Sequence, residues 1–273
     1  MKRILCLGLV ILSCLPLLGF MTAENTETLD LPIIMYHSVL KSRTGTYFVS
    51  PAQLEEDFKA IKEAGFTTVF MSEVINWVNN NGDLPAKPIV ITFDDGYYNN
   101  IYYGLELAKK YDVKFMINPV TSYSEFSTKN NDYSNPNYSY ITWSDIGAAA
   151  KSGYVEFGNH THDLHSTKPR KGIARLKGES SAAYYDLLTK DINESQGLIE
   201  QCGCPRPTTF AYPFGKYSNE SRDILLKLGF KAMLTSNQHN NKIVRGDHEC
   251  LYELGRYNRD GSWNTKKLLK KIG

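Results

Sequence analysis

Short apolar runs alternate along this chain with segments of helical period. The first run, residues 31–35, ends in Tyr36 and His37. Ser50-Pro51-Ala52-Gln53 then supplies an N-cap hydroxyl, a proline at the first helical position and a capping-box glutamine. Leu54, Phe58 and Ile61 follow at helical spacing, and Gly65 closes the predicted helix. Strands are predicted at 66–70, 88–93, 114–117, 154–157, 208–212, 230–234 and 251–254. Helices are predicted at 99–111, 181–200, 219–228 and 263–272, with a short one capped by Thr142 and ending at Gly153. A polar loop rich in Asn, Ser and Tyr spans 121–140 and is a candidate for contact with a substrate.

Seven or eight strands, each followed by a helix or long loop, predict an α/β fold with parallel strands, and at 273 residues a distorted (β/α) barrel of about seven strands. Reactive residues in such a barrel sit where strands end. His37, the pair Asp94 and Asp95, His160, and Tyr212-Pro213-Phe214-Gly215 all follow predicted strands. Residues far apart in sequence would therefore meet on one rim.

The N-terminus stands apart from this pattern. Lys2 and Arg3 precede an uncharged apolar stretch over 4–20, the layout of a signal peptide ending near residue 23. Lipidation at Cys14 and retention as an uncleaved anchor are the alternatives. All three place a single catalytic domain, 31–273, outside the cytoplasm, secreted or at the cell surface, with membrane contact only through this segment. Without Lys2 and Arg3 the 31 basic residues become 29, matching 29 acidic ones, so no nucleic-acid footprint is expected. Cys202, Cys204 and Cys250 follow the leader, which itself holds Cys6 and Cys14. An oxidising compartment makes one disulfide, Cys250 with Cys202 or Cys204, a candidate.

Chemistry concentrates in two places. VITFDDGYYNN, residues 90–100, ends an apolar strand on two adjacent acids. GNHTHDLHS, residues 158–166, holds three of the chain's six histidines. Two imidazoles and one carboxylate form a three-ligand site with an open position for water, the arrangement of catalytic zinc, and one that iron, cobalt or nickel also accepts. Asp95 is the natural carboxylate. Alternation aims His162 away from its neighbours, toward packing or solvent. Asp163 is a candidate to orient a ligand histidine.

Thr92-Phe93-Asp94-Asp95-Gly96 together with His160-Thr161-His162-Asp163-Leu164-His165 resembles the first two motifs of the polysaccharide deacetylases, the NodB-homology or carbohydrate esterase family 4 proteins. The five-residue histidine step and the leading IIMYHSV, residues 33–39, resemble the biofilm poly-N-acetylglucosamine deacetylase branch. The resemblance implies Asp94 as general base, Asp95, His160 and His165 as ligands of one divalent metal, zinc first, and Phe214 as a backbone donor to an oxyanion. It also implies His37 as the acid that protonates the leaving amine; His239 and His248 are fallback candidates by residue type alone.

Two departures stand out. Ala211 occupies a position where many members carry an arginine that steadies the base, and the C-terminal leucine-x-histidine motif is not evident after Thr235. Arg256 is the candidate for the missing arginine. Tyr97, Tyr98, Tyr212 and Pro213 flank the motifs as candidate sugar contacts. The expected activity is metal-assisted removal of N-acetyl groups from an acetylated polysaccharide by a monomer. An O-acetyl xylan esterase and a glycan-binding pseudoenzyme are the alternatives. A two-carboxylate glycosidase, whose acids stand about 5–9.5 Å apart across a bond, would leave the histidines unexplained.

Overall fold

The computed structural model describes residues 27–130 and 134–273; the leader expected at 1–23 lies outside the described residues. In chain order the elements are β1 (Thr28–Leu31), β2 (Ile33–Tyr36), β3 (Ser38–Val39), β4 (Phe48–Val49), α1 (Pro51–Glu63), β5 (Thr67–Thr68), α2 (Met71–Val78) and β6 (Pro88–Asp95). Then come α3 (Tyr98–Tyr102), α4 (Gly104–Tyr111), β7 (Phe115–Pro119), α5 (Thr121–Lys129), α6 (Trp143–Ala150), β8 (Val155–Phe157) and α7 (Ser181–Gln201). The last are β9 (Thr209–Ala211), α8 (Asn219–Lys227), β10 (Ala232–Leu234), β11 (Asn241–Val244), β12 (Tyr257–Asn258) and α9 (Thr265–Ile272).

The strands run parallel in the order β12-β2-β6-β7-β8, with short β5 alongside β6, and β9 pairs with β10 separately. Two single bridges join these sheets, Asn159 with Phe210 and Leu234 with Leu254. The Ala211 N–H donates to Asn159 O at 2.9 Å and the Leu254 N–H to Met233 O at 2.8 Å. Leu254 lies just before β12, so pairing runs round seven parallel strands, tightest at β6 and loosest at the two bridges. This is the distorted barrel that the alternating pattern predicts.

Local chemistry explains the elements. Ser50 and Gln53 form the predicted capping box on α1, each side chain bonding the other's backbone N–H at 3.1 and 3.0 Å. Thr142 caps α6 through the Asp145 N–H at 3.2 Å. All eight residues of β6 are buried, as befits the central strand of a sheet covered on both faces. Outside it, α1, α4, α6 and α9 pack Phe58, Ala108, Ile146 and Leu268 against Ile34, Ile91 and Phe115. Inside, α2 packs Val74, Ile75 and Val78 with Ile33, Val90, Met116 and Ala232, from the early part of the strands, and plugs that end. The other end is left open to polar side chains.

Several expectations change. Residues 71–78 form α2, and 121–129 form α5 instead of loop. The buried residues of α5 are Thr121, Ser124 and Ser127, a face of small polar side chains that hydropathy does not register. Of the strand predicted at 251–254, Leu251 ends a 3-10 turn (His248–Leu251) and Leu254 makes a single bridge, and β1 pairs antiparallel with β11 outside the barrel. The helix predicted at 99–111 is broken into α3 and α4 at Tyr103. Cys202, Cys204 and Cys250 are all free thiols, so no disulfide forms among them; Cys250 instead lies 3.4 Å from the Val244 N–H. Among the described residues, no helix is long and apolar enough to cross a membrane.

Candidate active site

The open end of the barrel holds a cavity of ≈ 330 Å³ that brings together His37, Asp94, Asp95, His160, His165 and Phe214. A larger, shallower groove of ≈ 540 Å³ lies on the flank between α1 and α4, away from these groups.

Adjacent strand residues ordinarily face opposite sides of a sheet. Asp94 keeps its place in β6, but Asp95 takes φ 70° and Gly96 φ 76°, and this left-handed pair turns the second carboxylate toward the same cavity. Gly96 is confined as well: a Cβ there would stand 2.9 Å from the Pro119 side chain.

Asp94 is 2% exposed and held by three hydrogen bonds. Arg256, itself 1% exposed, donates from both terminal nitrogens to its two oxygens at 2.8 Å each. Arg256 Nε donates to Thr235 O at 2.8 Å, which fixes the fork. Asn118, at the end of β7, adds a third bond to Asp94 at 2.9 Å. Burial alone would raise the Asp94 pKa, but the Arg256 charge overrides it and holds the carboxyl far below the usual range. The arginine absent at Ala211 is therefore supplied from the segment before β12. Ala211 contributes instead through its backbone.

His160 Nδ1 lies 2.7 Å from Ala211 O, a contact that fixes the Nδ1–H tautomer and leaves Nε2 free to bind an ion. That Nε2 is 3.7 Å from Asp95 Oδ1, and His165 Nε2 is 3.2 Å from the same oxygen. Donor atoms of the three residues all lie within 4.8 Å of one another. Tetrahedral zinc with bonds of about 2.0–2.2 Å needs ligand atoms roughly 3.3 Å apart, so the set fits a divalent ion. Burial lowers the His160 pKa to about 3 and lowers that of His165, keeping both imidazoles neutral. Burial, with the Asp94 charge adding to it, pushes Asp95 up to about 6. The His37 and Arg256 charges and a Tyr97 hydrogen bond oppose the rise without cancelling it.

The other candidates divide. His37 lines the cavity, edge-on to Tyr47 at 4.8 Å between ring centres, and its Nδ1 is buried without a partner. Phe214 sits at φ 56° with its ring 4.4 Å from that of His165, and the turn's own bonds run from Gly215 N–H to Tyr212 O and Lys216 N–H to Pro213 O. They leave the Phe214 N–H outside the turn. Tyr97 lines the cavity and stacks on Tyr140 at 5.0 Å.

Tyr98 packs instead on Tyr102, Pro213 is buried beneath the turn, and the Tyr212 ring stacks on Tyr217 at 4.2 Å inside the core beside α7 and α8. Tyr212 nonetheless lines the cavity, whereas Tyr98 and Pro213 are not among its lining residues. Asp163 is exposed and gives its N–H to Asp191, so orientation of His160 falls to the Ala211 carbonyl. His162 bonds Thr121 Oγ1 at 3.1 Å and faces Glu194, outside the ligand set. Asn118, Tyr47, Lys171 and Ser236 were not singled out in the sequence. Asn118 satisfies the strand-end criterion that found Asp94; the others lie on loops with no such marker.

Residues 81–233 match the model of the polysaccharide deacetylase family, more than half of the chain. The chain belongs to that family. Among curated relatives, the poly-beta-1,6-N-acetyl-D-glucosamine N-deacetylase of Staphylococcus aureus is 25% identical over 191 residues, covering 68% of this chain and 60% of its own length. The Escherichia coli protein of the same name is 22% identical over 222 residues, covering 74% of this chain and 33% of that one. This polysaccharide deacetylase therefore spans less than two thirds of the length of those relatives, 60% and 33%. Among solved structures, the Streptococcus pyogenes deacetylase PplD in complex with acetate aligns with a TM-score of 0.72 at 20% identity, over 90% of this chain and 100% of that one. IcaB from Ammonifex degensii gives 0.72 at 21%, over 89% and 97%. Both have the same fold as this family member.

Proposed function

We propose that this polysaccharide deacetylase removes N-acetyl groups from a glycan, poly-N-acetylglucosamine-like polymers first, and that it does so with one divalent metal, zinc first. The observation that carries the proposal is the convergence, in one cavity, of an arginine-bound carboxylate with an Asp-His-His cluster of metal-binding geometry. The names of the curated relatives favour the polymer.

Asp95, His160 and His165 would hold the ion, whose chemistry is to lower the pKa of a bound water from 15.7 to about 7 and to polarise a carbonyl. Asp94, kept ionised by Arg256, takes the proton from the attacking water. The Phe214 N–H, outside its turn's own bonds, is the donor to the developing oxyanion, a role typically worth about 2.7–4 kcal/mol. His37, at the cavity wall with Nδ1 unpartnered, delivers a proton to the departing amine. Acetate and a glucosamine unit leave. Export through residues 1–23 would bring the domain to such polymers.

The test is acetate release from N-acetylglucosamine oligomers, peptidoglycan and acetylated xylan by the zinc-, cobalt- or nickel-loaded enzyme. Release from the oligomers that is abolished by chelation and by Asp94→Asn is expected. Activity that survives both overturns the mechanism, and release from xylan alone overturns the amide substrate.

A further inference from the structure

We propose that Lys171 makes this cavity sense the charge of the glycan, disfavouring an acetylated sugar whose neighbour already carries a free ammonium. The inference rests on the deacetylase function proposed above and adds a specificity determinant to it.

Two cations line the cavity, Arg256 and Lys171. Arg256 is neutralised by its two bonds to Asp94. Lys171 is exposed, with Nζ 6.0 Å from the centre of the Phe214 ring, and forms no ion pair with any described residue. Its charge therefore faces whatever enters.

Its backbone is pinned from both sides to the site. The Gly172 N–H donates to Ser166 O at 2.9 Å, directly after the histidine motif, and the Ile173 N–H to Lys216 O at 3.3 Å, directly after the Phe214 turn. Gly172 adopts φ 57° and approaches so closely that a Cβ would lie 2.4 Å from Pro213 O. One residue earlier, Arg170 is buried in an ion pair with Glu179 at 2.5 Å. A lysine serving only solubility needs none of this anchoring. Here the fold holds an uncompensated cation beside Phe214, the proposed oxyanion donor.

The product of the proposed reaction is itself a cation. Each removed acetyl group leaves an ammonium on the polymer, and a neighbouring acetylated unit then has to bring that charge toward Lys171. Unit charges about 8 Å apart at an effective dielectric constant of about 60 repel enough for roughly a three-fold penalty. The polymer would be deacetylated at spaced positions more often than in blocks.

The test compares kcat/KM at about pH 6.5 and low salt for two pentamers of N-acetylglucosamine, one fully acetylated and one with a single free amine beside an acetylated unit. Wild type should prefer the first by roughly three-fold, and the preference should shrink as salt screens the charge. Lys171→Arg should keep the ratio, Lys171→Met should bring it to about one, and Lys171→Glu should invert it. Each ratio is taken within one variant, so a general loss of activity does not affect it. Ratios unchanged in Lys171→Met and Lys171→Glu, or equal losses on both pentamers, overturn the charge selection alone. A wild-type enzyme that releases acetate from neither pentamer nor from peptidoglycan refutes the deacetylase function, and the inference falls with it.

Discussion

Replacing Arg256 with glutamine tests how the proposed base is held. Asp94 loses two charge-assisted bonds of 2.8 Å and keeps one, from Asn118 at 2.9 Å, while Thr235 O loses the Nε donor. At 2% exposure water cannot replace them. Removing one partner of a buried pair costs about 3–5 kcal/mol, which lowers Tm by roughly 6–20 °C in a domain of this size. The pH dependence has a definite sign. In the wild type the depressed Asp94 pKa gives a contribution that is complete above the unfolded value of about 3.9 and flat from pH 5 to 8. In Arg256→Gln, burial is opposed only by the Asn118 bond and the facing histidines, and the folded pKa rises, so stability is lost as pH climbs through it. The deficit relative to wild type should therefore grow between pH 5 and 8. Urea unfolding of the metal-stripped proteins measures it, and Asp94→Asn with Arg256→Gln completes a cycle in which the double variant recovers part of the loss. A deficit under about 1 kcal/mol, or additive losses in the cycle, would refute the view that Arg256 supports Asp94.

Other outcomes follow from neighbouring geometry. Gly158→Ala puts a Cβ 2.1 Å from Asn118 Oδ1, so it should push Asn118 off Asp94 and lower both stability, by about 1–3 kcal/mol, and kcat; thermal melts and initial rates check both. Calorimetry should find one zinc per wild-type chain and none tightly held in His165→Ala or Asp95→Asn. Because Asp95 holds its proton up to about pH 6 without an ion, zinc affinity should weaken as pH falls through 6, whereas His160, lowered to about 3, adds no proton competition there. Phe214→Gly keeps the backbone N–H and suits φ 56°, so kcat should change little while KM rises from loss of the ring beside His165; a kcat loss of a hundred-fold would assign the ring, not the N–H, to the transition state.

Much of the fold was legible because the strands are continuous apolar runs bounded by caps and glycines. What stayed hidden has physical causes. In α2 the polar Ser72, Glu73 and Asn76 do share one helical face, but eight residues give barely two turns over which to see the period. In α5 the buried face is hydroxylated and resembles a loop. The pairing of β1 with β11 joins segments more than 200 residues apart, which no local pattern encodes. Lys171 carried no signal, because its importance comes from the pinning of Gly172 and from the lack of a partner. Neither is a property of sequence.

The doubled acid shows where pattern and backbone part. Alternation applied to Asp94 and Asp95 would send one carboxylate into the barrel and the other out toward the helices, and a single cavity could not use both. The positive φ of Asp95 breaks the alternation at the last residue of β6. Gly96 completes the reversal where Pro119 leaves no room for a side chain. A left-handed aspartate costs of order 1–3 kcal/mol and persists only where the surroundings enforce it. Here the enforcement is visible: the Val120 N–H bonds Asp95 O, and the Ile141 N–H bonds Gly96 O. The strain separates two identical side chains into different electrostatic settings, one tied to Arg256 and ionised, the other raised in pKa until an ion takes the place of its proton. Two adjacent aspartates can thus face one cavity in different charge settings only because the strand ends at the second of them.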